Sequence, residues 1–143
     1  MTPQISELPR SEIDAFLASR LVGRIGCHHE GSTYVVPVVY AYDGKSFYVA
    51  SVEGRKVDMM RANPRVCFEV DEVDERSVGV WRSVVAEGVF EELQGLAAAR
   101  AFALLTRRFV TRTGRTRPKR KPGGRTVAFR IRLEHVTGRE VSP

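Results

Sequence analysis

Residues 46–70 read SFYVASVEGRKVDMMRANPRVCFEV, and the order in which their character changes sets the architecture. Ser46 to Ser51 is a short apolar and aromatic run suited to a strand. Gly54 punctuates the chain, and Arg55 to Ala62 carries Val57 and Met60 at helical spacing. Asn63-Pro64 ends that helix, because a residue before proline is pushed out of the α region. RVCFEVDE, 65–72, resumes as a strand. The peculiarity lies at the junction, where Arg55 and Lys56 open the helix. Unpaired backbone N–H groups and the positive end of the dipole disfavour cations there and attract an anion. A solvated charge pair is the plain alternative, since the penalty at an exposed helix start is only about 0.3 kcal/mol. The stretch is neither a Walker loop nor a GxGxxG fingerprint.

Upstream, GRIGCHH (23–29), TYVVPVVYAY (33–42) and SFYVAS (46–51) read as three strands joined by tight turns at Glu30-Gly31 and Asp43-Gly44, an antiparallel meander. In the middle strand Val35, Pro37, Val39 and Ala41 share one face, and Tyr34, Val36, Val38 and Tyr40 the other. Both faces are apolar, so one fills the core and the other needs a second cover, a partner subunit or a flat ligand. Pro37 has no N–H and belongs on an open edge. Before this meander, EIDAFLASR predicts a helix capped by Ser11 that buries Ile13, Phe16 and Leu17.

Downstream, SVGVWRSVVAEGVFEEL (77–93) predicts a strand that bends, with Gly88 as the bulge site. QGLAAARAFALLTRRFV (94–110) predicts a helix with Phe102, Leu105 and Phe109 on one face, and RTVAFRIRLEHV (125–136) a last strand. The expected fold is mainly β: a six-stranded antiparallel barrel with three flanking helices, one domain over residues 1–143.

The composition, 43% hydrophobic and 28% charged, suits a soluble globular domain. The N-terminus lacks the basic-then-apolar order of a signal peptide, and no run approaches the roughly 20 apolar residues of a membrane helix, so a cytoplasmic protein is expected. The net charge of +6 is local. Gln94 to Leu133 holds 12 of the 23 cations and no carboxylate, leaving 11 cations against 17 acids elsewhere. The excess peaks in a Pro/Gly-rich basic loop at about 112–124. That loop carries no interleaved aromatics, and nucleic acid is not the expected partner.

Cys27 and Cys67 lie apart in strand-like runs and read as buried free thiols. His28 and His29 are strand neighbours that project to opposite faces, so no metal site is expected. Trp81 and the tyrosines at 34, 40, 42 and 48 read as packing, with Tyr40 and Trp81 the ones to inspect beside a planar ligand. Glu69, Asp71 and Glu72 read as a strand running into an acidic turn, without a catalytic role.

In SFYVASVEGRKVDMMRANPRVCFEV, and again in TVAFRIRLEHVTGRE, the chain resembles the pyridoxamine 5'-phosphate oxidase-like split-barrel FMN-binding family, in particular its nitroimidazole-resistance-like branch. The similarity runs from about Gly23 to Glu92 before it resumes near the C-terminus. It implies a six-stranded split β-barrel that forms a homodimer with the cofactor at the interface. Arg55 and Lys56, after Gly54, would hold the FMN phosphate. Val36, Pro37 and Val38, with Val49, Ala50 and Ser51, would line the isoalloxazine and ribityl chain. WRSVVAEG would contribute Arg82 and Ser83. The implied function is a flavin-dependent oxidoreductase that passes electrons or hydride from NAD(P)H to a small oxidised acceptor, with no protein residue assigned to catalysis. AFRIRLEHVTGRE lacks the tryptophan with which the authentic oxidase grips pyridoxal phosphate, so vitamin B6 oxidation is not expected. The alternatives are a deazaflavin, whose acidic tail would suit the basic loop; haem, bound by some relatives; and a non-catalytic flavin-, haem- or polyanion-binding module.

Overall fold

The computed structural model describes residues 2–77, 79–115 and 125–142. In chain order its elements are β1 (Gln4–Glu7), α1 (Arg10–Ser19), β2 (Val22–His29), β3 (Ser32–Val39), β4 (Ala41–Tyr42), β5 (Ser46–Val52), α2 (Arg55–Ala62), β6 (Arg65–Val73), β7 (Trp81–Leu93), α3 (Gly95–Thr113) and β8 (Thr126–Ser142). All strands belong to one antiparallel sheet in the order β3-β2-β6-β7-β8-β5-β4, with β1 on β8. The two ends of that path, β3 and β4, are neighbours in the chain, separated only by Tyr40. Before Tyr40 the segment pairs with β2; after it, with β5. The sheet therefore returns to its own beginning through one residue, which makes it a split barrel.

The expected six strands become eight for two reasons. TYVVPVVYAY is divided at Tyr40, whose backbone N–H turns to the Leu21 carbonyl (3.0 Å). Gln4–Glu7 is exposed at every position and shows no apolar alternation, so its strand character comes from the ladder that β8 offers it. The hairpin between β2 and β3 follows expectation, with Glu30 (φ 48°) and Gly31 (φ 78°) both left-handed, as a two-residue turn requires. Gly88 also falls where a bulge was expected: the β7–β8 register shifts between Glu87 and Gly88. A Cβ at Gly88 would stand 2.6 Å from the Arg132 carbonyl oxygen, so the strands can approach there only without a side chain.

The core is aromatic at its centre. Phe47 and Phe68 stack at 4.1 Å, and Tyr40 meets both edge-on at 5.7 and 5.2 Å. The Tyr40 hydroxyl donates to the Leu17 carbonyl at 2.6 Å, so the residue that splits the strand also pins α1 to the barrel. Helix α1 buries Ile13, Phe16 and Leu17 as expected. Ser11 does not cap it. The helix begins at Arg10 behind Pro9, whose ring fixes φ at −68° and whose carbonyl accepts from Glu12 and Ile13. At the other end of β2, helix α2 buries Val57, Met59 and Met60, and the Asn63 side chain donates to the His28 carbonyl at 2.7 Å. The two helices thus cover opposite ends of the barrel.

Candidate functional site

The junction between β5 and α2 is where the unusual cations sit. Val49 and Ser51 point into the core and Ala50 is half-buried, so the strand is held firmly up to the turn. Helix α2 starts from Gly54, which is extended (φ 174°, ψ −171°) and gives the helix no side-chain cap. A Cβ on Gly54 would find nothing nearer than the Val52 carbonyl at 4.0 Å, leaving the backbone there open to approach. The first-turn N–H groups therefore face a cleared corner carrying Arg55 and Lys56.

Glu53 is taken by Arg61 through two bonds of 2.7 and 2.8 Å, and Arg61 also holds Glu92 at 2.7 Å. These ion pairs hold Glu53 and Glu92 below the usual carboxylate range. Arg55 instead lies over the Tyr34 ring, its guanidinium carbon 4.6 Å from the centroid. Tyr34 belongs to β3, so this contact joins the cationic helix start to the strand expected to line a planar ligand. The Cys27 thiol shows the same proximity electrostatically. Burial pushes it up, while Arg55 and Lys56 pull it back down.

On β3, Val36 and Val38 are half-buried against the core, and Pro37 is exposed on the outer face. The strand is at the end of the sheet path, with β2 on one side only, as the missing N–H of Pro37 requires. Val36, Pro37, Val38, Val49, Ala50, Ser51, Gly54, Arg55 and Lys56 thus lie on one side of the barrel, where β3 approaches β5 and α2 follows. Arg82 and Ser83 do not join them. Arg82 pairs with Glu140 at 2.9 Å and lies 5.8 Å over the Phe16 ring of α1, at the opposite end of the barrel. Ser83 stands between Asp71 and Arg139 in the ladder.

Two features escaped the sequence reading. Tyr34 reads as packing from the sequence, and its contact with Arg55 emerges only once α2 folds back against β3. Cys67 was expected to be buried and is exposed. In RVCFEV the inward set is Val66, Phe68 and Val70, and strand parity turns Cys67 out. It lines an open groove of about 540 Å³ with Gly26, His28, Arg65 and Glu87. His28 Nδ1 there lies 3.1 Å from Thr33 Oγ1. Among the described residues no cluster of His, Cys, Asp and Glu is placed to hold a metal ion.

Tyr40 is core, with its phenol pushed up by burial, and is no platform for a ligand. Trp81 lies at the start of β7 opposite Val73 and Val141. Helix α3 runs through Arg112 and Thr113, so the basic loop begins later than expected; residues 116–124 lie outside the described residues. No helix among the described residues is long and apolar enough to cross a membrane.

Comparison with known proteins agrees with this architecture. An uncharacterized protein from Rhizobium meliloti is 35% identical over 86 residues, which span 60% of this chain and 56% of that protein. The crystal structure of an FAD-binding protein from Mesorhizobium loti superposes with a TM-score of 0.78 at 34% identity, covering 99% of this chain and all of the other. A candidate 5-nitroimidazole antibiotic resistance protein from Bacteroides thetaiotaomicron shares the fold (TM-score 0.78, 19% identity, covering 99% of this chain and 90% of that one). The family model described as pyridoxamine 5'-phosphate oxidase matches residues 9–140, nearly the whole chain. The chain belongs to the pyridoxamine 5'-phosphate oxidase family.

Proposed function

We propose that this protein is a flavin-dependent oxidoreductase. It would hold FMN with the phosphate at the start of α2 and pass electrons or hydride from NAD(P)H to a small oxidised acceptor. The observation that carries the reading is the Arg55–Tyr34 contact, which joins the cationic start of α2 to β3, the strand that would line the ring. The uncapped start of α2 and the open backbone at Gly54 fit a phosphate monoester, which would accept from the first-turn N–H groups and from Arg55 and Lys56. When bound, the flavin supplies the redox chemistry. The chain's own residues bind and orient. Tyr34 holds the Arg55 guanidinium, Val36 and Val38 present an apolar wall, and the open edge of β3 offers backbone N–H groups to the polar side of the ring.

Arg82 and Ser83 lie too far around the barrel to serve the same corner within one chain. In the homodimer reading they serve the site of the other copy. The Mesorhizobium relative is described as FAD-binding, which favours a second form of the same reading: the corner would take the diphosphate of FAD instead of a monoester. Releasing the cofactor from purified protein by acid and identifying it by chromatography distinguishes the two. A yellow, two-banded absorbance spectrum with released FMN supports the proposal, and released FAD supports its second form. A colourless protein that fails to bind either added flavin removes both.

A further inference from the structure

Helix α3 packs on the outer face of the sheet where β7, β8 and β5 run side by side. Across those three strands Glu91, Arg130 and Tyr48 form one row, and Leu93, Ala128 and Ala50 the parallel row of that face. Ala97, Ala101 and Leu104, spaced along one side of α3, meet Leu93 and Tyr48 around a cavity of about 220 Å³. Arg130 on the sheet side and Arg100 on the helix side complete its lining. The walls are therefore apolar and both charged groups are cations. The carboxylates within reach are already engaged. Glu91 serves Arg132 at 2.8 Å and Arg130 at 3.4 Å, one acid for two guanidinium groups. Asp43 accepts from the Tyr48 hydroxyl at 2.8 Å and from the N–H groups of Lys45 and Ser46. Arg100 makes no ion pair among the described residues. The Nε–H of Arg130 is out of contact with water and has no hydrogen-bond partner; among the described residues it is the one buried side-chain polar atom left so. A buried charged donor without an acceptor is costly, and this one lies beside an apolar cavity with an excess of positive charge.

We propose that this cavity binds a small monocarboxylate with a compact apolar body, an aromatic or branched-chain acid. The edge of a guanidinium that carries Nε–H presents two parallel donors, which match the two oxygens of a carboxylate. Its negative charge offsets the cation that Glu91 leaves unmatched, with Arg100 on the opposite wall. An apolar cavity of about 150 Å³ accepts benzene, so the volume here leaves room for a ring or branched chain and its carboxylate. Phosphate and sulfate are poorer occupants, because the oxygens not held by Arg130 would turn to Leu93, Ala97 and Leu104 without donors. The cavity is separate from the corner at Arg55. Tyr48 and Arg130 face α3, while their strand neighbours Val49 and Phe129 fill the core on the other side of the sheet. The proposal therefore stands whether or not a flavin binds at α2.

The test is isothermal titration of the full chain with benzoate in low-chloride buffer. Benzyl alcohol, the ring without the charge, and inorganic phosphate, the charge without the ring, are titrated alongside. One-to-one binding of benzoate is expected, at least about tenfold tighter than either control. Arg130→Lys keeps the charge but loses Nε–H and should weaken benzoate by about tenfold or more. Ala97→Leu fills the cavity from the helix side without touching the guanidinium and should do the same. Arg55→Ala should bind benzoate as the wild type does. No saturable binding below about 10 mM makes water the occupant and overturns the proposal. Phosphate that binds as tightly as benzoate reduces the cavity to a general anion patch and overturns it too. So does benzoate binding that survives both Arg130→Lys and Ala97→Leu, or that is lost in Arg55→Ala, since the ligand then sits elsewhere. Thermal unfolding of each variant separates loss of the cavity from loss of the fold, and if Arg130→Lys does not fold, Ala97→Leu decides.

Discussion

Arg55→Ala should weaken FMN binding by about 10- to 40-fold while leaving riboflavin binding unchanged. A charge-assisted hydrogen bond to phosphate contributes about 1.5–3 kcal/mol, and because Arg55 is exposed, the lower half of that range applies. With tenfold per ~1.4 kcal/mol, the quoted range follows. Tyr34 acts through Arg55 and not on the phosphate. Tyr34→Ala removes a contact of about 0.5–1 kcal/mol with the exposed Arg55 guanidinium and should cost about 2- to 5-fold in FMN affinity. Tyr34→Phe keeps the ring and should stay within about twofold of the wild type. Quenching of flavin fluorescence, titrated with FMN and separately with riboflavin, reads all three variants. Raising the salt from about 0.05 to 0.5 M should narrow the gap between wild type and Arg55→Ala for FMN only. The reasoning is refuted if Arg55→Ala binds FMN as tightly as the wild type. It is equally refuted if the variant loses FMN and riboflavin to the same extent, since the arginine would then be supporting the fold instead of a phosphate.

Other expectations concern the scaffold. Burial, followed by Asp71, raises the Glu69 carboxyl from its ordinary 4.5 to about 7. Its contribution to stability is fully present below about pH 4.5 and lost as pH rises through 7. Glu69→Gln should therefore raise the melting temperature at pH 8 and leave it unchanged near pH 4, as read by thermal unfolding. Gly88→Ala forces a Cβ against the Arg132 carbonyl and should destabilise by about 1–3 kcal/mol in urea titrations. Gly26→Ala, where the nearest atom is 3.8 Å away, should cost much less. Tyr40→Phe leaves the Leu17 carbonyl without its donor and should cost about 1–3 kcal/mol, with α1 losing amide-exchange protection first.

The chain announced its strands wherever alternation met a turn residue, and its helices wherever apolar spacing met a proline or a glycine. Glu30-Gly31, Asn63-Pro64 and Gly88 each did in the structure what their local chemistry dictates. What stayed hidden depends on distant partners. The break at Tyr40 comes from two different neighbouring strands claiming the two halves of one apolar run, and no window of sequence contains both claims. Strand β1 exists because β8 reaches beyond Val136 to meet it. At the site, Gly54, Arg55 and Lys56 were legible because cations at a helix start need a reason. The role of Tyr34 was not, since an inward-facing aromatic residue on a strand looks like core until the helix beside it is placed. Cys67 was misjudged by reading hydrophobic context where parity decides.

Strand β8 is the common partner of β1, β5 and β7, and every one of them precedes it in the chain. A ribosome delivers β2, β3, β6 and β7 early enough for them to zip together as they emerge, but β5 must wait for Phe129 and Ile131 before Val49 and Phe47 find their rungs. The nascent protein therefore carries an unfinished seam until β8 is released. Such long-range closure makes folding slow and leaves naked β edges on view. Holdase chaperones would find their target in this interval, and premature termination ahead of Thr126 would yield a sticky fragment instead of a smaller working protein.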